Sequence, residues 1–340
     1  MLNCDEIKSV LVHVGLDRLG DGLLKLPFVR GLRRAFPNAQ LTWFAGKETT
    51  VYAHALAHSI TNDIDEIIEF GSVGLTPKEL IGKRPLSGRH FDLVIDTQRN
   101  FWTALSAKRI RHQYFISPAA KFLLSSARPN RHYKFPKSMQ RQMLDLLELC
   151  TGSSFPVPNS LDLNIPEHHQ QHARALLPSS ARYIGFAPGS GGRPKCWPLE
   201  RYIEVAKLIE TEGGTPVFFI GPQEEEWTPI ITAQVPTALL PLQIGDGPTQ
   251  HGYDPLLSIA LGQRLNAAVS NDSGIAHMLA VAGAPLVALY GPTVYEKFPP
   301  MIENIHVIRA GDYGSREMSS IPVTPVANAI KGLLAKSDGA

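Results

Sequence analysis

The sequence predicts an α/β protein: two Rossmann-like, doubly wound domains facing each other across a cleft. Three observations carry this prediction. Short apolar runs alternate with helical patterns in both halves, as in parallel sheets built from βαβ units. Two of those runs end in glycine-rich loops that lead straight into helices, at 15–22 and 185–198. Between the halves, residues 152–166 hold Pro156, Pro158 and Pro166 among Ser and Asn residues, a composition that reads as a linker. The domains are therefore placed at 1–165 and 166–340.

In the first half the apolar runs predict strands at 9–14, 40–44, 66–70, 91–96 and 111–116. In the second half they predict strands at 183–187, 216–220, 267–270, 285–290 and 306–308. The last helical piece, 326–335, is compatible with packing on either domain.

With 340 residues, each domain has enough chain to bury its own core. The 44% hydrophobic and 19% charged content excludes disordered and fibrous classes. No apolar stretch reaches the ~18 residues of a membrane span, and the opening MLNCDEIKSV has acids and no apolar core of the signal-peptide kind. A cytoplasmic protein is expected. Cys4, Cys150 and Cys196 are odd in number and far apart, which fits reduced thiols.

The net charge of +2 conceals a local asymmetry. No acid occurs between Asp96 and Asp145, a stretch that holds Arg99, Lys108, Arg109, Arg111, Lys121, Arg128, Arg131, Lys134, Lys137 and Arg141 with interleaved aromatics. Such a field attracts a polyanion: phosphorylated lipid, anionic membrane or nucleic acid. The alternative is a solvated basic face without a partner. No nucleic-acid-binding motif accompanies it, so nucleic acid is not expected.

The segment 269–293, VSNDSGIAHMLAVAGAPLVALYGPT, is the most informative. A strand ends in Asn271-Asp272-Ser273-Gly274, a helix carrying His277 starts at once, and a second strand follows. The unpaired N–H groups of a helix that starts at a strand end make a seat for an anion, most often phosphate. Asp272 at its mouth repels a bare phosphate but suits the hydroxyls of an attached sugar. A nucleotide sugar is the expected ligand. His277, four residues after Ser273, falls on the same helix face; the alternative is an ordinary core histidine.

The first strand runs into Gly15-Leu16-Asp17-Arg18-Leu19-Gly20-Asp21-Gly22, which matches neither a Walker A loop nor GxGxxG. Asp21 is read as a general base on a loop whose glycines admit a ligand, with a helix N-cap as the alternative. Pro27 either starts the following helix or kinks it. In the second domain, Gly189, Gly191 and Gly192 permit close approach, while Ser190, Arg193 and Lys195 are placed to hold diphosphate oxygens. Pro198 is expected in the first turn of the next helix. Gln223 and Glu224 follow a strand and are weaker candidates for ribose contacts, since the acids there suit a solvated helix start equally well. No metal site is expected, which leaves loop cations to neutralise a diphosphate.

The series LGDGLLKLPFVRGLRRAFPNAQLTWFAG, FAPGSGGRPKCWPLERY and NDSGIAHMLAVAGAPLVALYGPT resembles glycosyltransferase family 9, the ADP-heptose:lipopolysaccharide heptosyltransferases and their relatives, over nearly the whole chain. The resemblance implies the GT-B form of the two-domain fold, inverting transfer, and no required metal or other cofactor. It implies Asp21 as catalytic base and Lys195 as a phosphate-binding lysine. Asp272, Ser273, Gly274 and His277 would hold the diphosphate and donor sugar. The chain departs from some members at Ser190 and Gly191, where they carry consecutive threonines. A phosphorylated glycolipid acceptor and peripheral contact with the inner membrane surface are the implied partners. A nucleotide-sugar epimerase and a non-catalytic binder of phosphorylated glycan or membrane are the rival readings.

Overall fold

The computed structural model describes residues 2–74, 76–178, 181–243 and 253–338. The chain divides into two compact units, Met1–Pro158 and Asn159–Ala340. The expected division at 165/166 thus shifts towards the N-terminus. The physical reason is the spacing of Leu161, Leu163 and Ile165, which are buried, while the Asn159 amide donates to Glu303 of its own unit at 3.0 Å.

The first unit contains β1 (Ser9–Val14), α1 (Leu19–Ala35), β2 (Gln40–Ala45), β3 (Glu66–Ile68), β4 (His90–Asp96), α2 (Phe101–Ala107), β5 (Arg111–Ile116) and α3 (Met139–Thr151). Its strands are parallel in the order β3-β2-β1-β4-β5. Val10–Val14 of β1 are all buried, as a central strand covered on both faces requires. The order reverses between β1 and β4, where His13 lies beside Asp96 in register. At such a reversal the loops diverge to opposite faces and leave a crevice at the carboxyl ends of the strands. Helix α1 continues through Pro27 and buries Leu23, Leu26, Phe28 and Leu32. Each fully buried Leu or Phe stabilises by about 1.5–3 kcal/mol. Helix α3 packs on α1 and ends at Gly152, whose φ of 75° is left-handed.

The second unit contains α4 (Glu167–Leu176), β6 (Tyr183–Ala187), α5 (Leu199–Thr211), β7 (Thr215–Phe218), α6 (Thr228–Gln234), α7 (Pro255–Gly262), β8 (Ala267–Asn271), α8 (Gly274–Val281), β9 (Leu286–Tyr290), β10 (Ile305–Arg309) and α9 (Val323–Asp338). The parallel order is β10-β9-β8-β6-β7, with the reversal between β6 and β8. Helix α5 turns Tyr202, Ile203, Ala206 and Ile209 inward at helical spacing, and Phe186 stacks on Phe218 at 5.1 Å between centroids. Helix α9 packs against α5, β8 and β9, which settles it on the second unit. Among the described residues no helix is long and apolar enough to cross a membrane.

Candidate active site

In the second unit, the loops after β6 and β8 meet at the reversal point. Asn271, the last residue of β8, is fully buried and ties them together. Its amide donates to the Pro188 carbonyl at 2.7 Å, and its carbonyl accepts the Trp197 N–H and the Tyr202 hydroxyl, each at 3.0 Å. The Ser190 hydroxyl adds a bond to the Asp272 carbonyl at 3.0 Å. Neutral groups bonded on all sides hold one rotamer, so the two loops keep a fixed relation.

On that frame, Lys195 places its ammonium 3.6 Å from the Asp272 carboxylate, with the lysine partly exposed and the aspartate mostly buried. Ser273 is the N-cap of α8, yet its hydroxyl bonds the Asn271 carbonyl at 3.3 Å and makes no cap bond. The Ala276 N–H donates to the Ser273 carbonyl at 3.2 Å, so among the described residues the Gly274 and Ile275 amides at the head of α8 keep their donors for a ligand. The expected grouping of Ser190, Lys195, Asp272, Ser273 and Gly274 is found in one place.

His277 is buried one turn into α8, and among the described residues its Nδ1 has no partner. Burial pushes its pKa down to about 4, against a smaller upward pull from Asp272. The imidazole is neutral at neutral pH and offers a hydrogen bond rather than a charge. Sequence reasoning missed Tyr290, the last residue of β9. Its buried hydroxyl also lacks a partner among the described residues, and burial, then Asp272, hold it in the protonated donor form. Two orphaned polar groups thus flank one carboxylate.

Other expectations are redrawn. Arg193 pairs with Glu226, and its guanidinium lies 4.4 Å from the Trp227 ring centroid, so it is engaged elsewhere than at Asp272. Pro198 occupies the N-cap of α5 rather than its first turn. Gln223 is exposed, whereas Glu224 is buried, not a solvated helix start. Its carboxylate accepts the Ser190 backbone N–H, and its pKa is raised chiefly by burial. A methyl at Gly189 would lie 2.8 Å from the Glu224 carboxyl carbon. Gly189 and Glu224 are packed as one unit beneath the loop.

In the first unit, Asp21 is the third residue of α1, half-buried, and Arg18 is the N-cap, so the capping alternative for Asp21 fails. Among the described residues no hydrogen bond or ion pair engages the Asp21 side chain. Gly22 serves packing rather than ligand access, since a Cβ there would lie 2.4 Å from Val51. Sequence reasoning also missed Asp17. Its buried carboxylate pairs with Lys25 and accepts from the Trp43 indole at 2.9 Å and the Thr50 hydroxyl at 3.0 Å. These bonds anchor the loop from which α1, and Asp21 with it, departs.

The acid-free stretch is not one field. Helix α2 reverses the chain, so Arg99 lies beyond the carboxyl end of β4 while Lys108, Arg109, Arg111 and His112 stand at the amino ends of the strands. Arg141 is neutralised by Asp145 and Glu148 just past the stretch. At the carboxyl edge, Arg99 lies 4.7 Å from the Phe135 centroid, and Lys47, Thr76, Gln98, Asn100 and Trp102 line a pocket of about 250 Å3.

The family model for glycosyltransferase family 9 (heptosyltransferase) matches residues 82–321, most of the chain and both of its units. The chain belongs to glycosyltransferase family 9. It is 30% identical to a lipooligosaccharide heptosyltransferase 2 of Haemophilus influenzae, with 88% of each chain covered. Two solved structures share the fold. One is a family 9 glycosyltransferase from Veillonella parvula, with TM-score 0.72, 23% identity, and 97% of this chain and 98% of that chain covered. The other is an ADP-heptose lipopolysaccharide heptosyltransferase II of Escherichia coli, with TM-score 0.69, 22% identity, and 98% and 100% covered. As a family 9 member the chain is a glycosyltransferase of the GT-B fold class.

Proposed function

We propose that this glycosyltransferase moves a heptose from ADP-heptose to a hydroxyl of a lipopolysaccharide-core glycolipid, with inversion at the anomeric carbon. The carrying observation is the placement of Lys195 against Asp272 at the open head of α8. A cation and free amides suit a diphosphate, and a carboxylate beside them suits the attached sugar. The names of the relatives supply the ADP-heptose and the lipopolysaccharide or lipooligosaccharide.

In this reading Asp21 accepts the acceptor's hydroxyl proton. The acceptor oxygen bonds to the anomeric carbon as that carbon's bond to the diphosphate oxygen breaks. ADP departs with the electron pair. Lys195 and the first α8 amides stabilise the charge that grows on the leaving diphosphate, and the Ser190 hydroxyl joins them only on release from the Asp272 carbonyl. Asp272, His277 and Tyr290 orient the sugar hydroxyls. Ser273 and Gly274 form the diphosphate seat. Arg193 joins it only on release from Glu226, and Gln223 and Glu224 lie beside the nucleoside end. The site needs no metal or other cofactor, since the lysine and amides carry the neutralisation.

For the acceptor, the Trp102 pocket receives sugar rings, and the exposed cations Lys121, Lys134 and Arg99 receive its phosphates. The enzyme works in the cytoplasm at the inner membrane surface. The test is incubation with ADP-heptose and a lipopolysaccharide core lacking its outer heptose, with and without chelator. The reading expects ADP release and a lipid heavier by one heptose in both. An unchanged lipid beside intact ADP-heptose contradicts it.

A further inference from the structure

The amino-terminal edge of the first sheet carries a basic concavity of about 510 Å3, lined by Arg84, His90, Lys108, Arg109, Arg111 and His112. His90 and Arg111 open β4 and β5 side by side in register. Strand β4 is seven residues long, so this edge is about 20 Å from the carboxyl edge at a rise of ~3.3 Å per residue. It is therefore no extension of the Asp21 edge.

Four of the six groups carry permanent charge, and among the described residues no carboxylate pairs with any of the six. Where they are held, carbonyl oxygens hold them. Lys108 donates to the Leu124 carbonyl at 2.8 Å, and Arg109 donates to the carbonyls of Glu79 and Gly82. Such bonds fix a cation without cancelling its charge. His112 bonds the Ile110 carbonyl through Nδ1 at 2.6 Å, which leaves Nε2 for another partner. The neighbouring acids are already spent. Asp92 accepts the backbone N–H groups of Lys8 and Ser9, and Glu66 pairs with Arg89. Like charges crowded in a concavity destabilise the fold unless a ligand relieves them.

We propose that this pocket is a second anion site, one that binds a phosphoryl group of a lipid headgroup or of a soluble phosphate, apart from the reaction. Three arginine forks, two of them (Arg84 and Arg111) exposed, with a lysine and two histidines in a concavity match the oxygens of a phosphomonoester or diphosphate. The inference does not rest on the donor reading, because it concerns groups at the other end of the sheet.

The test uses the whole 340-residue chain with saturating ADP present, so that the donor seat is filled. Inorganic pyrophosphate is titrated calorimetrically. Co-sedimentation is measured with phosphatidylcholine vesicles with and without phosphatidic acid. The paired substitution Arg84→Gln and Arg111→Gln removes two exposed side chains that have no hydrogen-bond or ion-pair partner among the described residues, and leaves the fold intact. It is expected to weaken one or both probes about tenfold or more, with ADP affinity unchanged. A loss confined to pyrophosphate identifies a soluble phosphate, and a loss on acidic vesicles identifies a lipid headgroup. Wild-type protein that binds neither probe overturns the proposal. So does a paired variant that binds both probes undiminished. An equal loss in the charge-matched control Lys207→Gln with Lys336→Gln, on the second unit, also overturns it.

Discussion

The ammonium of Lys195 lies 3.6 Å from the carboxylate of Asp272, at a helix head whose cap residue leaves the first amides uncapped. The pair is mutually compensated before any donor arrives, so the lysine is pre-aimed without being an uncompensated charge. In the proposed reading, a diphosphate that enters would compete for the same ammonium and offer more oxygens to it.

Lys195→Ala is therefore expected to weaken ADP binding about ten- to a hundredfold, the value of a charge-assisted hydrogen bond of about 1.5–3 kcal/mol. Adenosine, which lacks the diphosphate, is expected to bind the variant as it binds the wild type. Calorimetry with both ligands checks this, and equal losses for the two remove Lys195 from the phosphate role.

The buried imidazole of His277 makes stability depend on pH. Its folded pKa of about 4 lies below the ordinary 6.5, so below 6.5 the unfolded chain binds a proton that the folded protein refuses. This contribution is fully present above pH 6.5 and is lost as pH falls towards 4, up to about 3 kcal/mol. Urea unfolding from pH 7 to 4.5 is expected to show a flatter stability curve for His277→Asn than for the wild type. Parallel curves exclude this residue as the acid-sensitive group.

Gly189→Ala sets a methyl 2.8 Å from the Glu224 carboxyl carbon, a distance that neither group tolerates unmoved. The strain is expected to cost about 1–3 kcal/mol and to displace the loop bearing Ser190. Thermal unfolding and ADP affinity should both decline, and Glu224→Ala in the same chain should restore much of the stability by making room.

Asp17→Asn leaves the buried Lys25 ammonium without its counter-charge, a change that costs about 3–5 kcal/mol for an enclosed pair. Lowered stability in chemical unfolding is the expected result. The double change Asp17→Asn with Lys25→Met should recover part of it, whereas a double variant no better than the single one argues against the pair.

How much was legible in the sequence follows from what each residue depends on. The strands were readable because runs such as Val10–Val14 are apolar throughout, which parallel strands buried on both faces require. The 271–274 turn was readable because a strand end, an acid, a cap residue and a glycine fall in immediate succession. Asn271 itself was passed over, since its role as a tie appears only when Pro188, Trp197 and Tyr202 arrive from other parts of the chain. Asp17 drew no role and Glu224 only a weak ribose role for the same reason: burial and partners are tertiary properties. The basic stretch read as one field because proximity in sequence is lost when α2 carries the chain to the other edge of the sheet.

The central proposal is that Asp21, in the first turn of α1 and without a side-chain partner among the described residues, is the base. The most direct measurement is turnover of Asp21→Asn with ADP-heptose and acceptor, set beside its affinity for ADP. The amide keeps the shape and cannot take a proton, so turnover is expected to fall by about 10²–10⁴ while ADP affinity stays within about twofold. A variant that turns over at the wild-type rate contradicts the account.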